Sequence, residues 1–97
     1  MLDKLQAIRD KYVHLEEQLA DPGTIGDMER WKKINKEYKN LQPLVETFDQ
    51  YHKIATGLDG AREMLAAETD PDMRDMAREE IEALQPQLEA LEEQLKI

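Results

Sequence analysis

Apolar residues recur along this chain with the spacing of helix faces, and polar residues fill the gaps. Leu5, Ile8, Tyr12, Leu15 and Leu19 step by 3, 4, 3 and 4. That spacing lays one apolar stripe along a helix predicted from about Leu2 to Ala20. The stretch DPGTIGD then stops it: Pro22 disfavours helical backbone at Asp21, and Gly23 permits a turn. A second helix is predicted from Asp27, a residue suited to the N-cap. Its stripe is Trp31, Ile34, Tyr38 and Leu41, and Pro43 is expected to end it or to open the next helix. The third helix, from Pro43 to about Ala67, carries Leu44, Phe48, Tyr51, Ala55, Leu58, Ala61 and Leu65. Gly57 and Gly60 each cost about 1 kcal/mol relative to Ala inside it. They mark a soft point or a close approach of another helix, and the helix is expected to pass through.

The stretch TDPDMRDMAREEIEAL, residues 69–84, opens a fourth helix. Asp70 suits the N-cap, Pro71 the next position, and Asp72 and Asp75 the positive end of the helix dipole. Ala77, Ile81, Leu84, Leu88, Leu91 and Leu95 then step by 4, 3, 4, 3 and 4, a heptad seam. Pro86 lies off that seam, which stays in phase across it, so a bend is expected there and not a break. The closing run EEQLKI has no Gly or Pro stop, as if the chain were a piece of a longer protein. No stretch alternates with period two over a strand length. The expected fold is all-α, an antiparallel helical bundle or long helical hairpin of about four helices in a single domain over residues 1–97.

Charge changes the picture more than composition does. The net charge is −9, with charged residues at 36% and aromatics at 5%. Residues 1–29 carry three Lys/Arg against seven Asp/Glu, residues 30–58 six against three, and residues 59–97 four against twelve. A basic middle thus lies between acidic ends. An acidic whole opposes indiscriminate binding to nucleic acid, DNA included, but leaves room for a local basic contact. No apolar run approaches the ~18 residues of a membrane span.

Candidate chemistry is sparse. Cys and Ser are both missing, which removes thiol and serine nucleophiles and disulfides. His14 and His52 belong to no HxxxH or HExxH pair, and Asp49 with His52 makes only two ligands. The pairs Glu16-Glu17, Glu79-Glu80 and Glu92-Glu93 lie off the apolar seams, as solvated faces do. GLDG follows no strand, so it is no phosphate loop. No catalytic, cofactor or metal site is expected.

The run RWKKINKEYK is different: Arg30, Lys32, Lys33, Lys36 and Lys39 against one acid, Glu37. Lys32, Lys36 and Lys39 fall opposite the Trp31/Ile34/Tyr38 seam. The bland reading is a solubilising face, paired with the acidic fourth helix. The functional reading is a contact for RNA phosphate or an acidic partner. Trp31 and Tyr38 have the spacing of core residues rather than of base-stacking platforms.

Two stretches, IGDMERWKKINKEYKNLQPLVETF (residues 25–48) and DPDMRDMAREEIEAL (residues 70–84), resemble the N-terminal domain of bacterial class-1 peptide chain release factors. The similarity is closest to the type that reads UAA and UAG. The family pattern DPEMREMAxxEL is nearly matched from Asp70 to Ala77, with Ile81 in place of Leu after Glu79-Glu80, and NKEYKNL (residues 35–41) matches a second family stretch. The resemblance spans essentially the whole chain. It implies a cytoplasmic parent that recognises stop codons and triggers peptidyl-tRNA hydrolysis. It also implies a first domain that docks on the ribosome near the stalk base, by ribosomal protein L11 and its rRNA, in interplay with the recycling class-2 release factor GTPase. The codon-reading tripeptide and the Gly-Gly-Gln loop are absent, so this chain is expected to be no enzyme, and Pro86 departs from the family pattern. Arg30, Lys32, Lys33, Lys36 and Lys39 are the candidate ribosome or partner contact. Two other readings compete: a structural coiled-coil adaptor without a ribosomal role, and a helical enzyme resembling chorismate mutases. The second would need a buried cationic pocket, and the first helix offers only Lys4, Arg9 and Lys11.

Overall fold

The computed structural model describes residues 2–96, so Ile97, the end of the run EEQLKI, lies outside the described residues. Within them the chain is all-helical: α1 (Leu2–Ala20), α2 (Pro22–Ile25), α3 (Met28–Ala67) and α4 (Pro71–Leu95). Two compact units share these helices, one up to Glu46 and one from Thr47 on.

In the first unit α1 and the opening half of α3 form an antiparallel pair. The Trp31 indole Nε1 donates to the Leu19 carbonyl at 3.2 Å, and the Tyr38 ring stacks on Tyr12 with centroids 4.3 Å apart. The Tyr38 hydroxyl donates to Glu16 at 3.1 Å. Partners climb α3 as they descend α1, which fixes the sense of the pair. Leu5, Leu15 and Val45 are buried, and Trp31, Ile34 and Tyr38 are half-buried. The aromatic residues therefore serve packing, as their spacing required.

DPGTIGD is not a plain turn. Asp21 is extended, Pro22 takes the first helical position, and the amides of Thr24 and Ile25 both donate to the Asp21 carbonyl at 3.0 Å. The result is the single helical turn α2, with Thr24 only 2% exposed. Gly26 ends it in right-handed helical backbone, and no described glycine has a positive φ. Asp27 then caps α3, its carboxylate accepting from the Arg30 amide at 3.2 Å.

The expected boundary at Pro43 is absent: α3 runs through it for 40 residues. Proline removes one backbone donor and crowds the carbonyl one turn back. Pro43 and Lys39, one turn before it, are both exposed, so the lost helical bond falls on the solvent side of α3, where it is cheapest. The apolar face also stays in phase across it, with Leu41 and Leu44 half-buried and Val45 and Phe48 buried. Packing on both sides outweighs one local penalty. Pro86, likewise exposed, sits inside an unbroken α4, and the Gln87 side chain donates to the Ala83 carbonyl at 3.0 Å in the turn it disturbs.

In the second unit the closing half of α3 and α4 again pair antiparallel, around Phe48, Leu58, Ala61 and Ala77, with Leu58 and Ala77 each 1% exposed. The seam residues Ile81, Leu84, Leu88, Leu91 and Leu95 are half-buried. A Cβ on Gly57 would lie 3.3 Å from Leu84 Cδ1, so the lack of a side chain there lets Leu84 close in.

The turn between α3 and α4 is tied by its own side chains. Glu68 accepts from the amides of Thr69 and Asp70 at 3.0 and 3.1 Å, and Asp70 caps α4 by accepting from the Asp72 amide at 3.1 Å. Arg74 reaches back to donate to the Leu65 carbonyl at 2.6 Å and the Glu68 carbonyl at 3.0 Å. The Leu65 carbonyl belongs to the last turn of α3 and the Glu68 carbonyl lies just past its end, so neither has a partner inside the helix. One arginine thus closes the preceding helix while its own backbone belongs to the next. The stretch TDPDMRD reads, physically, as a paired stop and start signal.

A candidate partner-contact surface on α3

α3 begins with a cap at Asp27 and turns Trp31, Ile34 and Tyr38 toward α1. Helical geometry then forces the residues between them outward. Arg30, Lys32, Lys33, Lys36 and Lys39 are all exposed. Arg30, Lys32, Lys33 and Lys36 line one open depression together with Asp27 and Glu29; Lys39 lies outside it. Four of the five expected residues are therefore brought together. The two carboxylates of the lining were not among them, although Asp27 stood out in the sequence as a cap.

None of the five cations has an ion-pair or side-chain hydrogen-bond partner among the described residues. The one acid inside the run, Glu37, forms a salt bridge with Lys11 of α1. That pair is exposed, so it adds little stability. It does take Glu37 toward α1, where Arg30, Lys33 and Ile34 line a second, smaller depression with Leu15, Gln18 and Glu37.

The titration of Tyr38 is displaced. Its phenol is held well above the usual range by side-chain hydrogen bonding with Tyr12, then by desolvation, then by the bond to Glu16. A phenol so placed stays neutral and keeps donating to Glu16. It acts as a strut between α1 and α3 rather than as an acid or base.

Elsewhere the site chemistry is thin. His14, Asp49 and His52 are exposed, and no group of three His, Asp or Glu residues is placed to hold a metal among the described residues. No described helix is long and apolar enough to cross a membrane.

Residues 8–97 match the model of the PCRF domain. The whole chain is 44% identical to the peptide chain release factor 1 of Chlorobaculum tepidum and 38% identical to that of Chloroherpeton thalassium, covering 27% of each. Over 92 residues, 95% of the chain, it is 40% identical to the peptide chain release factor 1 of Cytophaga hutchinsonii, covering 26% of it. The chain therefore spans only about a quarter of the length of these curated relatives. No solved structure gives a significant match. With a family model covering nearly all of its length, the chain belongs to the PCRF domain family, as an N-terminal domain of the peptide chain release factor 1 type.

Proposed function

We propose that residues 1–97 form the N-terminal domain of a peptide chain release factor that directs translation termination at UAA and UAG in the cytoplasm. The domain itself reads no codon and cleaves no ester; those tasks belong to sequences it lacks. Its work is docking: it binds the ribosome near the stalk base, by ribosomal protein L11 and its rRNA, and shares in the interplay with the recycling class-2 GTPase. The observation that carries this reading is similarity along the entire chain to proteins named peptide chain release factor 1. The contact surface is the exposed, unpaired cationic face of Arg30, Lys32, Lys33, Lys36 and Lys39.

Charge reversal at Lys32, Lys36 and Lys39 tests it in a release factor carrying this domain. All three side chains are exposed and outside the core, so the fold survives the change. If each contact is worth about 0.5 kcal/mol, ribosome affinity falls by roughly tenfold. GTPase-dependent recycling should slow in parallel. Wild-type affinity and wild-type recycling in the triple variant would remove the surface from the proposal. Failure of the unaltered domain to bind ribosomes at all would favour a structural adaptor.

A further inference from the structure

Beside the cationic depression stand two large apolar side chains that the fold leaves in water. Ile25, the last residue of α2, is 52% exposed, and Met28, the first of α3, is 61% exposed. In sequence Met28 lies between Asp27 and Glu29, and Ile25 two positions before Asp27; both acids line the depression. Apolar and cationic groups therefore share one end of the first unit.

We infer that Ile25, Met28 and the Arg30/Lys32/Lys33/Lys36 depression form a single docking surface for a protein segment that is acidic and carries an apolar anchor. The inference rests on the ribosome-docking reading and chooses the class of macromolecule met there. Three observations favour protein over RNA. The lining has mixed sign, four cations with the carboxylates of Asp27 and Glu29; a phosphate backbone is repelled by both acids, whereas a protein face can answer each sign in turn. A phosphate backbone would use the cations and leave Ile25 and Met28 in water, while an apolar anchor covers them. Finally, the second unit carries five Lys/Arg against thirteen Asp/Glu, a net −8, so a long polyanion is penalised more than a short acidic segment.

The test uses the domain with purified ribosomes and reads two quantities. Sedimentation with ribosomes reports binding. A photo-crosslinking benzoylphenylalanine in place of Met28 reports what lies against the surface. The expected result is co-sedimentation with an adduct to a ribosomal protein, mapped to an acidic segment containing apolar residues. The double substitution Ile25→Ser with Met28→Ser should lower affinity by about tenfold, and Arg30→Glu with Lys32→Glu should abolish the adduct. An adduct to rRNA, to a basic protein segment or to a second copy of the chain overturns the inference. So does co-sedimentation with no adduct, or with unchanged affinity in the serine variant. Absence of co-sedimentation overturns the docking reading itself and the inference with it.

Discussion

Gly57 and Gly60 lie one turn apart in α3 and differ only in what surrounds them. A methyl group at Gly60 meets no atom within 4 Å, while at Gly57 it comes within 3.3 Å of Leu84 Cδ1. Glycine gives up more backbone freedom on folding than alanine. Gly60→Ala should therefore raise stability by about 1 kcal/mol in urea unfolding. Gly57→Ala should gain distinctly less, because Leu84 must shift by a few tenths of an ångström. Equal gains would mean that the approach of Leu84 does not constrain α3. The sequence offered two meanings for a mid-helix glycine, soft point or close approach. Only the facing residue separates them, and that residue is 27 positions away in sequence, on α4.

Among the elements, α1 was legible to its last residue because Pro22 supplies a hard stop. α4 was legible from Asp70 because cap, proline and seam all agree. α3 was legible in its stripe but not in its length. Pro43 carries the same local penalty whether it opens a helix or interrupts one, and propensity alone cannot weigh that penalty against Val45 and Phe48, both buried just beyond it. Val45 itself was hidden because Leu44 fits the stripe equally well. The contribution of Arg74 was hidden for another reason: its partners are backbone carbonyls, which no side-chain pattern records. Since Pro43 is tolerated rather than required, Pro43→Ala should stabilise the chain, by at most the ~3 kcal/mol that separates the two residues in a helix interior. A raised thermal midpoint with unchanged helical content is the expected readout. A fall would show that the proline is itself part of the packing.

For the chain as a whole, charge is the dominant fact. The first unit carries eight Lys/Arg against nine Asp/Glu, a net −1, and the second accounts for the remaining −8 of the total −9. The ion pairs Lys11–Glu37 and Arg78–Asp75 are exposed and offset little of this. Self-repulsion should weaken the folded state at low ionic strength, and salt should relieve it, since the Debye length falls from about 30 Å at 0.01 M to 10 Å at 0.1 M. A melting temperature that rises between those two salt concentrations checks this; a fall would mean that attractive pairs dominate. The candidate surface was legible as a charge run, but its apolar flank was not. Ile25 and Met28 fall on none of the apolar stripes of the sequence, and their exposure emerges only from the fold. One further consequence comes from the indole bond between Trp31 and the Leu19 carbonyl. Trp31 is the single tryptophan of the chain and belongs to the first unit. Its fluorescence is thus a built-in reporter of that unit alone, while circular dichroism sees every helix. Comparing the two signals during denaturation counts how many cooperative steps the chain takes, with no label attached.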